Sequence, residues 1–127
     1  MPYLWVALGG ALGSIARYGC SGIAARWLGL GFPYGTLFVN VTGSFAIGVL
    51  GTLALGGGRA LATTDARAFL IVGLLGGFTT FSSFSLETLN LARAGNLGAA
   101  ATNVALSLVL CLVAVWLGYL GATALHR

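Results

Sequence analysis

Charged residues are scarce in this chain of 127 residues. Asp, Glu, Lys and Arg together make up 6% of it, Lys is absent altogether, and hydrophobic residues make up 58%. A soluble domain carries roughly a quarter of its residues as charges. Six basic and two acidic side chains are too few to cover a surface that faces water. The composition therefore excludes an ordinary soluble globular protein.

Clustered functional groups are missing as well. The net charge of +4 comes from scattered Arg residues, whereas nucleic-acid binding needs a concentrated basic surface. A single His126 and two separated carboxylates, Asp65 and Glu87, make no catalytic constellation, so we do not expect an enzyme. Cys20 and Cys111 lack the spacing of a metal site or a redox motif, and no disulfide is implied.

Long apolar runs dominate what is present. A helix that crosses a bilayer needs about 20 mostly apolar residues, and four such runs follow one another with only short connections. We therefore predict an all-α integral membrane protein with a single domain over residues 1–127. Its four transmembrane helices lie at about Tyr3 to Leu28, Tyr34 to Leu55, Arg67 to Ala92 and Leu97 to Leu125. Thr63, Thr64 and Asp65 are typical of a helix N-terminus before the third run.

The loop charges leave the orientation of these helices open. With four spans, three arginines (Arg59, Arg67 and Arg127) fall on one side and two (Arg26 and Arg93) on the other. An excess of basic residues on the cytoplasmic side normally fixes the orientation. Here, either helix hydrophobicity or a partner decides it, or the chain inserts both ways and pairs with its own inverted copy.

Small or polar residues recur at every fourth position in three of the spans, and residues four apart share one helix face. Such stripes suit close packing between helices, and they equally suit a polar path through the membrane. Packing explains the glycines better than it explains Asn40. The stripes are Gly9, Gly13, Arg17 and Ser21; Thr36, Asn40, Ser44 and Gly48; and Asn103, Ser107 and Cys111.

The third span carries an unusual polar run in its middle. Gly76 and Gly77 are followed within eight residues by two Thr and three Ser, a composition that disfavours a continuous helix. A break at membrane depth frees backbone carbonyls, and such carbonyls bind small cations in discontinuous transporter helices. The alternative is a kink whose free backbone groups bond to Ser and Thr side chains.

After this run, the side chains favour an anion. The ring edges of Phe81 and Phe84 carry partial positive charge, although a Phe in a span also suits a lipid-facing or core position. The Asn40 amide and nearby hydroxyls donate hydrogen bonds. Arg17 is the one ionisable residue deep in a predicted span, and no carboxylate accompanies it. Glu87 lies towards the end of the third helix, where we expect a vestibule.

Three segments of the chain resemble the Fluc (CrcB) fluoride channels. They are residues 9–18 (GGALGSIARY), residues 35–40 (GTLFVN) with Gly43, and residues 76–87 (GGFTTFSSFSLE). The third segment is the most specific, and length, number of spans and order of motifs fit along the whole chain. The chain is therefore identified as a member of this family.

The resemblance implies a dual-topology homodimer in the cell (inner) membrane, with antiparallel subunits and two pores. Such a channel exports fluoride passively and lowers its concentration in the cytoplasm. A structural sodium ion (Na+) at the dimer interface would bind the backbone carbonyls of Gly76 and Thr79. Near-balanced loop charges and the predicted break agree with these expectations.

The resemblance also assigns a fluoride path. Phe81 and Phe84 would coordinate fluoride through their ring edges, with Asn40 beside them as a donor. Polar tracks along the pore would include Ser82, Ser83, Ser85 and Ser107. Ser83 stands where many members have Thr, and the fourth helix departs further, so the resemblance assigns no firm pore role to Asn103 and Cys111. Arg17 matches the family's arginine, with a role in either ion binding or packing.

Two other functions suit a small four-helix membrane protein. One is a dual-topology, proton-coupled exporter of the small multidrug resistance type, which needs a carboxylate in the first helix, where this chain has Arg17. The other is a structural subunit, which would conduct no ions by itself.

Overall fold

All regular elements of the described residues are helices. The computed structural model describes residues 1–57 and 59–125, and of Ala60 the backbone alone. Gly58, His126 and Arg127 lie outside the described residues. The loop charge predicted at Arg127 therefore lies outside them as well. The helices are α1 (Pro2–Leu28), α2 (Tyr34–Leu55), a 3-10 turn (Arg59–Leu61), α3 (Thr64–Arg67), a π-helical segment (Ala68–Leu75), α4 (Gly76–Phe78), α5 (Phe81–Arg93) and α6 (Leu97–Leu125).

Three helical stretches are both long enough and apolar enough to cross a membrane. They are Tyr34–Leu55, Thr64–Arg93, which we call the third span, and Leu97–Leu125. α1 is also long, with 27 residues, which corresponds to about 40 Å at 1.5 Å per residue. It falls short in apolarity because it contains five glycines and Arg17. The protein is a multi-pass membrane protein, with a first helix more polar than the sequence analysis assumed.

The helices begin and end at residues suited to these positions. Thr63 accepts a hydrogen bond from the Ala66 N–H at 3.1 Å, which confirms the predicted cap before the third span. Asn96 accepts one from the Ala99 N–H at 3.3 Å at the start of α6. Gly95, between α5 and α6, has a φ of 83°, a backbone conformation that favours glycine. Chemistry local to the turns therefore delimits the helices.

Glycines set the closest helix contacts. α1 packs mainly against the π-helical segment and α4, and α2 packs mainly against α6. A Cβ atom added to Gly73 would lie 2.8 Å from the Val6 carbonyl oxygen on α1, and one added to Gly118 would lie 3.0 Å from the Val49 nitrogen on α2. Gly9, Gly13 and Gly48 are buried in these contacts. For these glycines, packing explains the four-residue spacing.

Candidate functional site

The third span is interrupted at Thr79 and Thr80. Both residues are extended, with φ and ψ of −86° and 156° at Thr79 and of −154° and 119° at Thr80. The sequence predicted a break in this run, and the structure has one, but the two glycines Gly76 and Gly77 are helical. Thr79 still donates its N–H and its hydroxyl to the Leu75 carbonyl, whereas the backbone of Thr80 bonds to the Asn40 side chain, so the helical pattern ends between them.

Asn40 on α2 bridges this break. Its Nδ2 donates to the Thr80 carbonyl at 3.0 Å, and its Oδ1 accepts from the Thr80 N–H at 2.8 Å. The Asn40 amide thus pairs with both the N–H and the carbonyl of Thr80. Left unpaired in lipid, each of these backbone groups would cost several kcal/mol. A primary amide carries two N–H donors, so one remains for another acceptor.

Two backbone carbonyls lose their helical donors at the break. The Thr80 N–H, which in a continuous helix would donate to the Gly76 carbonyl, donates to Asn40. The Ser83 N–H, which would donate to the Thr79 carbonyl, donates to the Thr80 Oγ1 at 3.1 Å. Neutral carbonyl oxygens released in this way are suitable ligands for Na+. The residues that the resemblance assigns to sodium therefore fit a small cation chemically.

A groove of about 390 Å³ lies beside the break. None of the described residues that line it is Asp, Glu, Lys, Arg or His. It contains the predicted fluoride residues Phe81, Phe84, Asn40 and Ser107 together with the predicted sodium residues Gly76 and Thr79; Ser44, Thr80 and Cys111 also line it. The structure thus brings together residues from α2, the third span and α6 around one uncharged, mostly apolar groove that contains a few polar side chains.

The two phenylalanines differ sharply in exposure. Phe84 is 8% exposed, whereas Phe81 is 78% exposed in the single chain. Their ring centroids lie 5.3 Å apart, with 56° between the ring planes. The rings are one helical turn apart on α5, and both line the groove. The exposed ring of Phe81 leaves one side of this region open.

A second cavity, of about 550 Å³, lies between α1, α2 and α5. Arg17, Thr36, Ser83 and Glu87 line it. Thr36 donates its hydroxyl hydrogen to the Glu87 Oε1. Arg17 donates its Nε–H to the Gly77 carbonyl at 3.0 Å, two residues before Thr79. Arg17 therefore supports the backbone of the third span. Glu87 lines this second cavity and does not line the groove, and its place in a vestibule stays a prediction.

The serines of α5 do not form one continuous row. Ser83 faces the second cavity, while Ser82 and Ser85 lie on the exposed side of the helix. Ser85 donates to the Phe81 carbonyl at 2.9 Å, and Ser82 lies 3.3 Å from the Thr80 Oγ1. Within one chain, only Ser107 of the four predicted track serines lines the groove with the phenylalanines.

Thr80 is the residue whose importance the sequence analysis did not recognise. It caps α5, pairs with Asn40 through its backbone, and lines both cavities. A sequence signal was present, because Thr immediately before a helical run is a typical N-cap. The neighbouring Gly76 and Gly77, whose residue type disfavours a helix, are helical instead.

Comparison with known proteins identifies the family. The family model described as "CrcB-like protein, Camphor Resistance (CrcB)" matches residues 4–119, which is most of the chain. This chain belongs to the CrcB family. The resemblance seen in the three sequence segments is thereby confirmed.

Close relatives carry a common name. A protein of Opitutus terrae named "Fluoride-specific ion channel FluC" is 58% identical over 124 residues, covering 98% of this chain and 94% of its own length. Relatives of the same name from Methylocella silvestris and Rhodospirillum rubrum are 51% and 52% identical over 127 residues. Both alignments cover 100% of this chain, with 97% and 98% of the respective relative.

Proposed function

We propose that this protein is a fluoride-specific ion channel that lets fluoride leave the cytoplasm passively and so protects the cell from fluoride toxicity. The observation that carries this proposal is the 58% identity, over nearly the whole of both chains, to a relative named as such a channel. A cell interior that is negative by 100 mV favours the exit of an anion by about 2.3 kcal/mol per charge. Passive flow therefore suffices for export.

The chemistry of the groove supports an anion as the permeant ion. Fluoride is small and strongly hydrated, and a pore must replace its water with close donors while leaving the binding weak enough for release. The remaining N–H of Asn40 and the ring edges of Phe81 and Phe84 are such donors. The absence of Asp and Glu among the described lining residues removes the repulsion that an anion would otherwise meet.

The conducting unit in this proposal is an antiparallel dimer in which all four long helices cross the membrane. Phe81 is 78% exposed in one chain, so a single copy does not enclose the groove. A second, inverted copy would cover this side and create two equivalent pores. The nearly even division of loop arginines supports insertion in both orientations, because neither side has a clear positive excess.

The freed carbonyls of Gly76 and Thr79 support a sodium ion at the centre of this dimer. One chain offers two neutral oxygens, and the inverted copy would offer two more. When bound, Na+ would supply a fixed positive charge that holds the two breaks together. We expect the dimer to melt at a lower temperature when sodium is replaced by N-methylglucamine. Equal melting temperatures in the two salts would contradict the sodium site.

The proton-coupled exporter is not favoured. That mechanism requires an acidic residue in the first helix, and the ionisable residue in this helix near its centre is Arg17, whose Nε–H bonds to the Gly77 carbonyl. Glu87, the carboxylate in the half of the third span that follows the break, is bonded to Thr36 in the second cavity.

The decisive experiment is an efflux assay with purified protein in liposomes loaded with either fluoride or chloride. Valinomycin and external potassium-free buffer supply the counter-ion pathway, and protein-free liposomes give the background leak. We expect rapid fluoride release with chloride release close to the background. Equal release of both ions, or no release, would contradict the channel and favour a structural role.

Orientation needs its own test. A cysteine introduced at the exposed Ala94, in the α5–α6 connection, is treated in intact cells and in inverted vesicles with a thiol reagent that does not cross membranes. We expect the reagent to label a fraction of the protein from each side. The parent protein, which retains Cys20 and Cys111, measures labelling within the helices. Labelling from one side alone would contradict dual insertion.

A further inference from the structure

Asn103 is the most deeply buried polar side chain on α6. It is 2% exposed, and it is one of the two buried polar residues of the described chain, together with Thr36. Burial of an amide is costly unless its groups are hydrogen-bonded. Its Nδ2 donates to the Thr88 Oγ1 on α5 at 2.9 Å. The hydrogen-bond partners of the Asn103 amide therefore indicate its role.

Thr88 continues the connection towards the groove. Its hydroxyl donates to the Phe84 carbonyl at 2.7 Å. A two-step chain of hydrogen bonds thus runs from Asn103 through Thr88 to the backbone of Phe84. Because the Thr88 hydroxyl accepts from Asn103 while donating to Phe84, the two bonds polarise each other. Phe84 is the buried member of the pair of phenylalanines in the groove.

The other end of the Asn103 amide is connected to the groove through a single residue, Ser107. The Ser107 Oγ donates to the Asn103 Oδ1 at 3.5 Å. This distance lies at the long limit for a hydrogen bond, so the hydroxyl hydrogen is held weakly. Ser107 lines the groove, whereas Asn103 does not. One buried amide is thus connected to two groove residues, one on each of two helices.

We propose that Asn103 is a positioning residue for ion conduction. It fixes the backbone of Phe84 through Thr88, and it holds the Ser107 hydroxyl in a place from which this donor can turn to a passing anion. Asn103 acts through these residues and does not itself touch the ion. The inference rests on the proposed channel function.

A purely structural role makes a different prediction. Asn side chains also join membrane helices by hydrogen bonds across a packed contact. In that case, loss of the bond would lower the stability of the protein without changing the conduction of molecules that remain folded. The two roles therefore separate when efflux per folded dimer and melting temperature are measured on the same samples.

The first test replaces Thr88 by Val, which keeps the shape and removes the hydroxyl. We expect fluoride efflux per dimer to fall about tenfold, the effect on rate of losing one net hydrogen bond from the conducting arrangement. Thr88→Ser keeps the hydroxyl and should restore efflux. Thr102→Val is the matched control, because the exposed Thr102 on α6 makes a bond only to its own helix, to the Gly98 carbonyl. This control should conduct like the parent protein.

The second test is a double-mutant cycle with Asn103→Leu and Thr88→Val. If both residues act through one connection, the double variant conducts about as slowly as the slower single variant. Effects on efflux that multiply would overturn the proposal, as would a Thr88→Val variant that conducts like Thr102→Val. If Asn103→Leu yields no dimer, the comparison of Thr88→Val, Thr88→Ser and Thr102→Val decides alone. Absence of efflux from the parent protein would instead overturn the proposed function.

Discussion

The two halves of the third span are held in place by different forces. The half before the break (residues 64–78) lies against α1 with backbone on backbone, and a Cβ added to Gly13 would lie 2.9 Å from the Phe78 nitrogen. The half after the break, α5, is tied to its neighbours by side-chain hydrogen bonds from Thr36 to Glu87 and from Asn103 to Thr88. Close backbone contact dominates in the first half, with one further bond from Arg17 to the Gly77 carbonyl, and side-chain hydrogen bonds hold the second half.

This difference matches what each half contributes to the site. The first half presents the Gly76 carbonyl, whose position depends on the path of the backbone alone. The second half presents Phe81 and Phe84, whose rings depend on how α5 is rotated and anchored. The position of a backbone group thus depends on close helix contacts, and the position of the two rings depends on the side-chain bonds that anchor α5.

The largest effect is expected from Gly13→Ala, which attacks the first half. Overpacking typically costs about 1–3 kcal/mol and occasionally more. The cost here should exceed the typical range, because the obstacle is the backbone of Leu74 and Phe78, which cannot turn aside as a side chain can. We expect loss of the folded dimer on size exclusion and no fluoride efflux.

Gly19→Ala on the same helix is the matched control for this variant. A Cβ at Gly19 meets nothing within 4 Å, and Ala favours a helix over Gly by about 1 kcal/mol. This variant should be at least as stable as the parent protein. Similar behaviour of the two variants would show that close contact with α1 does not fix the first half.

The next largest effect is expected at the junction of the two halves, from Asn40→Leu. This change removes both bonds to Thr80, and each backbone group left without a partner costs about 1–3 kcal/mol. Fluoride efflux should therefore fall by about a hundredfold or more. Thr42→Val on the same helix serves as the control, because Thr42 bonds only to carbonyls of α2. Equal efflux from these two variants would contradict the bridging role of Asn40.

A smaller effect is expected in the second half, from Phe81→Ile and Phe84→Ile. Aromatic edges contribute about 0.5–1.5 kcal/mol beyond their burial, so each change should slow fluoride efflux by up to about tenfold while the dimer survives. Phe38→Ile, at an exposed position on α2, should leave efflux unchanged. If neither Phe81→Ile nor Phe84→Ile slows efflux, the ring edges have no part in conduction.

The smallest effect is expected from Thr36→Val, which removes one bond to Glu87 at the edge of the second half. The carboxylate stays in an open cavity that water can enter, so the loss should be that of one net hydrogen bond, about 0.5–1.5 kcal/mol. We expect efflux to fall by only a few-fold. Thr52→Val is the control, because the hydroxyl of Thr52 bonds to the Gly48 carbonyl of its own helix. A loss of efflux as large as that of Asn40→Leu would show that the bond from Thr36 to Glu87 matters as much as the two bonds from Asn40 to Thr80.

Local chemistry made much of the fold predictable. Runs of apolar residues bounded by Gly29, Pro33 and Asn96 located the helices, and Thr63 located the start of the third span, because these signals act within a few residues. The π-helical segment and the position of the break were not predictable in this way. They depend on contacts between residues far apart in sequence, such as the 40 residues that separate Asn40 from Thr80.

The candidate site shows the same division. The family resemblance predicted that Asn40, Phe81, Phe84 and Ser107 lie close together, and all four line the groove. They did not indicate that Ser82 and Ser85 face outwards in one chain while Ser83 lines a second cavity. The direction of a side chain on α5 depends on how the break rotates this helix. The rotation of α5 cannot be predicted from the types of its residues alone.

The bond between Arg17 and the Gly77 carbonyl has a consequence for how the chain is made. A charged side chain at the centre of a lipid-exposed helix costs about 2.5–3.5 kcal/mol on insertion scales. The acceptor that receives the Arg17 Nε–H is synthesised 60 residues later. Translation therefore produces α1 long before its polar partner exists. The bond that accommodates Arg17 can form only after the first half of the third span has been synthesised.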